Sequence, residues 1–254
     1  RYFGIKLVSV FPENPLQGLP AVQGLYALFE GRKGAAIATL DGAALTLVKT
    51  AANSAMASDL LSRKDAATLL VCGGGALAPH LIAAHCAMRP ITRVLWWNRR
   101  AEALDPVPLR AAGLPVEVVT DLAAATRSAD IVSTATRATA PIIEGAWLKP
   151  GCHLDLVGGY LPEMREADDA AFRRASRHYV DARLTTVGVA GDICEPLATG
   201  LASEDALIDM FQLNRAERPG RQNDQEITWF KSGGGGHEDL AVAQYLYERQ
   251  HGAN

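Results

Sequence analysis

A chain of 254 residues, 48% hydrophobic, is long enough to bury a sizeable core as one large domain or two smaller ones. A net charge of −3 argues against nucleic acid or an anionic membrane surface as partner. No apolar run reaches the roughly 20 residues of a membrane span, and no secretory pattern opens the chain, so a cytoplasmic protein is expected.

The chain begins RYFGIKLVSVF, already inside an alternating strand pattern, and a preceding segment is expected. KLVSVF (6–11) and AVQGLYALFE (21–30) have strand composition, with a loop containing Pro12, Asn14 and Gly18 between them. GRKG (31–34) turns the second strand into AAIATL as a hairpin. LTLVKTAANSAMASDLL (45–61) has a helical period. From Leu69 strands and helices alternate: TLLVC then ALAPHLIAAHCAM, RVLWW then PLRAAG, VEVV then DLAAATRSA, followed by the strands DIVSTAT and HLDLVGG. Parallel strands need crossover helices, so this rhythm predicts an α/β, Rossmann-type doubly wound sheet with helices on both faces. After about Asp181 the rhythm breaks, and the strand EITWF, the run SGGGG and the helix HEDLAVAQYLYERQ close the chain. The expected organisation is a nucleotide-binding domain over 63–181. A second, α+β domain is expected from 1–62 and 182–254.

Four cysteines, Cys72, Cys86, Cys152 and Cys194, stand far apart without a C-x-x-C pair, as reduced thiols of a cytosolic protein do. The six histidines form no H-E-x-x-H, and His80 and His85 are five apart, off a common helical face. No metal site is expected.

Gly73, Gly75 and Ala78 fit G-x-G-x-x-A between a strand and a helix. The first glycine permits the tight turn and the second lets a pyrophosphate approach the backbone. The small third residue lets helix and strand pack closely. Ala76 and Leu77 carry the turn into the helix, whose free N–H groups favour phosphate, and Pro79 suits its first turn. An acid that reads the ribose is expected about 20 residues on. Asn98, Arg99 and Arg100 stand there instead, and a guanidinium can hold a 2′-phosphate in a fork. The expected cofactor is therefore NADP(H), with NAD also admissible.

Several stretches together resemble the ornithine cyclodeaminase/mu-crystallin family: GIKLVSVFPENPLQGLPAVQG, LDGAALTLVKTAANSA, CGGGALAPHL, WWNRR, GAWLKPGCHLDLVGGYLPEMREAD and EITWFKSGGGGHEDLA. The resemblance implies a homodimer of chains in which a Rossmann domain is joined to a substrate and dimerisation domain built from both chain ends. It also implies that an N-terminal segment, with an arginine that contacts substrate, precedes residue 1. Lys6 matches the family's substrate-contacting lysine, and Lys49 stands where most members have arginine. Either fits a substrate carboxylate, which needs a cation when buried. Thr134, Ala135 and Thr136, then Val157 and Gly158, end two strands at the sheet's carboxyl edge, where ligands lie in this architecture. Ser232 and Gly233 match a family stretch near the cofactor.

In the cyclodeaminases LVGGYLPEMRE reads like VGGDCPGK, and the Asp is the catalytic acid/base. Here Tyr160 takes that place, and the continuation resembles the branch of mu-crystallin and ketimine reductases. A phenol, with an ordinary pKa of about 10, is a poor base for oxidising an amino acid. Reducing a cyclic imine requires instead that the carboxylate be anchored and the imine carbon presented. Tyr160 then donates a hydrogen bond or forms an apolar wall. The expected function is an NADPH-dependent reductase of a small cyclic imino acid, such as pyrroline-2-carboxylate or its six-membered homologue. Alternatives are an ornithine cyclodeaminase using another base such as Asp192, an amino-acid dehydrogenase, and a cofactor-holding protein of mu-crystallin type.

Overall fold

The structure, a computed structural model, describes residues 1–11 and 13–252. Pro12 of the expected loop, and Ala253 and Asn254 of the expected closing segment, lie outside the described residues. The chain divides into two compact units, one of Arg1–Thr50 with Gly235–Asn254 and one of Ala51–Gly234.

In the first unit β1 (Tyr2–Val10), β2 (Val22–Glu30) and β3 (Ala36–Asp41) form an antiparallel meander. Helix α1 (Gly42–Leu61) starts three residues earlier than its periodicity suggests. The reason is Asp41, whose Oδ1 accepts from the N–H groups of Ala43 and Ala44 at 2.8 and 3.0 Å, satisfying two donors that the first turn leaves free. Tyr26 and Leu28 of β2 and Leu45 of α1 form a small core with Ala243 of the chain's last helix.

The second unit follows the expected alternation. After the rest of α1 come β4 (Thr68–Cys72), α2 (Leu77–Met88), β5 (Arg93–Trp97), α3 (Val107–Ala111), β6 (Val116–Val119), α4 (Leu122–Ser128) and β7 (Ile131–Thr134). β8 (His153–Leu156), α5 (Asp169–Arg174), β9 (Arg177–Val180), α6 (Arg183–Thr186) and α7 (Gly191–Ala198) continue it. β10 (Ile208–Asp209), α8 (Met210–Asn214) and β11 (Thr228–Lys231) close it, and α9 (Gly236–Gln250) returns to the first unit. All eight strands are parallel, in the order β10-β9-β11-β8-β7-β4-β5-β6.

Both faces of this sheet are covered, and β4 shows it residue by residue. Leu69 and Val71 join one buried cluster with Ile82 and Trp96, while Leu70 and Cys72 join another with Leu154 and Trp229. That is why the central strands read as continuous apolar runs rather than as alternation. The division between units differs from the sequence boundaries at 62/63 and 181/182. Residues 51–62 and 182–234 group with the sheet, because β11 hydrogen-bonds between β8 and β9 instead of completing the first unit's sheet.

Polar side chains on the inner strands are paired within the core. Asp155 accepts from Ser133 Oγ at 2.6 Å and Ser54 Oγ at 3.2 Å, with His85 Nε2 at 3.3 Å. His153, on the same strand, bonds Thr228 Oγ1 at 2.9 Å through Nδ1. Burial holds its imidazole down to about 3. The unfolded chain, with an ordinary value of 6.5, binds a proton there over a window in which the folded chain does not. Stability is therefore complete above about pH 6.5 and falls as pH drops through that window, by about 2 kcal/mol at pH 5. Urea midpoints measured from pH 7 to pH 5 should fall accordingly, and His153→Asn should flatten the slope.

Candidate functional site

The order of the large sheet reverses at β4, whose neighbours β5 and β7 lead the chain to opposite edges, and ligands bind above such a reversal. Gly73, just past β4, has φ +135°, and a Cβ there would stand 2.5 Å from the carbonyl oxygen of Ala135, just past β7. Only glycine allows the two strand ends to come so close. Gly75, by contrast, has nothing within 4 Å of its would-be Cβ, so a ligand can lie against its backbone. Helix α2 begins behind it at Leu77, after the N-cap residue Ala76, whose side chain caps none of its free N–H groups, and Ala78 is buried against the sheet.

A cleft of about 570 Å³ lies over this turn. Gly73–Gly75 form its floor. Trp97, Asn98, Arg99 and Arg100 stand on one side, with Ala135, Thr136 and Arg137 on the other. Asn98 Nδ2 donates to the Arg100 carbonyl at 3.0 Å, which braces the arginine loop. Among the described residues, Arg99, Arg100 and Arg137 make no ion pair and no Asp or Glu lines the cleft. The residues present fit a dinucleotide, with glycine backbone and helix N–H groups for the pyrophosphate and guanidinium groups for further phosphate. Arg137 belongs to no motif of the sequence. Its one signal is a charge placed just beyond the strand end that also carries Ala135 and Thr136.

Thr134 is fully buried and does not face the cleft. Its Oγ1 donates to Glu166 Oε2 at 2.7 Å, and Gly158 N donates to the same oxygen at 2.7 Å. The other oxygen, Oε1, accepts from Thr136 N and Thr136 Oγ1, both at 2.7 Å. One carboxylate thus clamps the ends of β7 and β8 together. Burial pushes its pKa above the usual carboxylate range; Lys231 opposes this, Asp192 adds to it, and the threonine hydrogen bonds oppose it. Asp192, the alternative base, is itself buried, accepting from Glu166 N at 2.8 Å and standing 3.3 Å from Lys231 Nζ.

Val157 packs with Ala51 and Leu81, with Leu77 against the same cluster, and Ser232 Oγ accepts from Asn53 at 3.3 Å. None of these three sequence-selected residues lines the cleft. Tyr160 is 48% exposed, and its hydroxyl has no hydrogen-bond partner among the described residues. In the first unit, Lys6 Nζ donates to Thr46 Oγ1 at 2.5 Å and to Asp239 Oδ1 at 3.1 Å, and Lys49 Nζ donates to Glu238 Oε2 at 2.8 Å. Among the described residues, no cluster of His, Cys, Asp and Glu could hold a metal ion, and no helix is long and apolar enough to cross a membrane.

The chain matches the ornithine cyclodeaminase/mu-crystallin family over residues 1–254. It is 42% identical over 248 residues to a Delta(1)-pyrroline-2-carboxylate reductase of Paracoccus denitrificans, covering 96% of this chain and 78% of that protein. Among solved structures, it resembles the Thermococcus litoralis Delta(1)-pyrroline-2-carboxylate reductase in complex with NADH and L-proline. There the TM-score is 0.90 and the identity 30%, over 98% of this chain and 79% of that one. An archaeal alanine dehydrogenase dimer with bound NAD gives a TM-score of 0.90 at 27% identity, over 97% and 77% of the two chains.

Each Glu166 oxygen holds one backbone N–H, of Thr136 or of Gly158, so no flip of an amide could satisfy both. Glu166→Gln should therefore lower stability by about 1–3 kcal/mol, read as a lower urea midpoint with an unchanged far-UV spectrum.

Proposed function

The chain belongs to the ornithine cyclodeaminase/mu-crystallin family, and on that premise we propose that it is an NADPH-dependent reductase of a small cyclic α-imino acid of pyrroline-2-carboxylate type. The observation that carries this reading is the cleft at the sheet's reversal, with its open glycine floor and three guanidinium groups that have no ion-pair partner among the described residues. The relative's name and the neighbour's L-proline support the substrate class. NAD and NADH in the neighbouring structures support the dinucleotide, and the arginines where an acid would read the ribose favour the phosphorylated form.

When bound, the reduced nicotinamide supplies a hydride and is left oxidised. The chain's own residues orient the reactants. The glycine turn and α2 would hold the pyrophosphate, Arg99, Arg100 and Arg137 would supply guanidinium groups for the ribose phosphate, and the clamped ends of β7 and β8 give a rigid wall. Lys6 and Lys49 hold the substrate's carboxylate. With the substrate entering as its iminium, the imine carbon would gain the hydride and the C=N electron pair would move to the already protonated nitrogen, giving the neutral amine, so no proton transfer is asked of Tyr160. Phe3, Ile5 and Leu7 on one face of β1, with Leu25 opposite Leu7, form an exposed apolar row. A homodimer accounts for this row. Four free cysteines suit a cytoplasmic setting.

The protein should oxidise NADPH when given pyrroline-2-carboxylate and release no ammonia from L-ornithine with NADP+. Efficient proline formation from ornithine would overturn the assignment. Lys6→Ala should raise the imine KM at least tenfold. Arg99→Ala should weaken NADPH binding about tenfold and leave NADH nearly unchanged, measured as Kd by fluorescence titration.

A further inference from the structure

The two lysines stand in a cluster of four charges whose composition restricts what can bind. Lys6 of β1 pairs with Asp239 and Lys49 of α1 with Glu238, and both acids lie in the first turn of α9. Side-chain exposures of 18 and 6% for the first pair, and 6 and 10% for the second, mean that all four groups have lost most of their water. Moving ions out of water is costly unless each meets a partner, so the charge a ligand adds here must be matched. An ammonium has three donors, and Lys6 spends two of them, on Thr46 Oγ1 and Asp239 Oδ1. Lys49 spends one, on Glu238 Oε2. Asp239 Oδ2 accepts no hydrogen bond from the described residues. Each side of the cluster thus keeps bonding capacity for a ligand.

We propose, building on the reductase reading, that this cluster selects the zwitterionic form of the substrate, a ring whose carboxylate meets Lys6 and Lys49 and whose protonated imine nitrogen meets Glu238 and Asp239. Two positive and two negative side chains sum to zero, and a zwitterion leaves that sum at zero with every charge opposed. The deprotonated imine would bring one unmatched negative charge into a desolvated site. An iminium is also the form whose carbon accepts a hydride most readily. Among the described residues, titratable groups facing the acids include His237, whose Nε2 is 4.0 Å from Glu238 Oε1, and Tyr26, buried beside Asp239.

Calorimetry on the full chain with NADP+ present tests the proposal without turnover. L-proline carries both charges, whereas cyclopentanecarboxylate keeps the ring and the carboxylate but lacks the cation. L-proline should bind the unmodified protein at least tenfold more tightly. Asp239→Asn removes one negative charge, so it should weaken L-proline at least fivefold and tighten cyclopentanecarboxylate. Equal or tighter binding of cyclopentanecarboxylate to the unmodified protein would overturn the proposal, as would a variant that weakens both ligands alike. Should cyclic imines not be reduced while L-proline keeps its preference, the reductase reading falls and the charge matching stands.

Discussion

The close approach of Gly73 to the Ala135 carbonyl is the constraint on which the site depends. It sets the ends of β4 and β7 side by side at the one place where the parallel sheet reverses its winding. A side chain at residue 73 would separate the two strand ends and adopt a backbone angle that only glycine holds without strain. With the two ends in contact, the turn over Gly75 stays open, α2 points its free N–H groups over it, and the arginine loop after β5 and Arg137 after β7 face one cleft. The floor and walls of the site follow from sheet topology, and its charge follows from what the strand-end loops carry.

Rigidity at that edge comes from buried charge. Glu166 gathers two backbone amides and two hydroxyls from the ends of β7 and β8, and its own amide is held by Asp192. Lys231 at the end of β11 stands 3.3 Å from Asp192, so a third strand end joins the same network. A carboxylate buried among so many donors fixes its partners closely, because losing any one leaves a desolvated group unmatched. The first unit uses the same device more sparingly, with Lys6 bonded to Thr46 and Asp239, and Lys49 to Glu238.

Much of this was legible in the chain itself. The alternation of strand and helix from Leu69, the glycine turn with Ala78, and the arginines after RVLWW all sit where periodicity and turn chemistry placed them. What escaped has a common cause, in that it depends on which strands become neighbours. The strand EITWF reads alike whether it completes one sheet or another, and only its pairing with β8 and β9 assigns it to the larger unit. Thr134 was expected to face the cofactor because it ends a strand, yet its hydroxyl turns to a carboxylate 32 residues later. Glu166, Asp192 and Lys231 are scattered over the sequence as ordinary charged residues, and nothing local distinguishes them from solvated ones. The acids of α9 were read only as part of a family stretch, and their meeting with two lysines near the opposite end of the chain is a tertiary fact.

In the proposed reaction, hydride reaches a cyclic imine from a dinucleotide held at the glycine turn. NADPH deuterated on one face of nicotinamide C4 tests it most directly. Incubation with the protein and pyrroline-2-carboxylate should give proline with one deuterium at C2 for one of the two labelled faces and none for the other, read by mass spectrometry and NMR. Proline free of deuterium with both labels, or no consumption of NADPH, would rule out hydride transfer from this cleft to the imine.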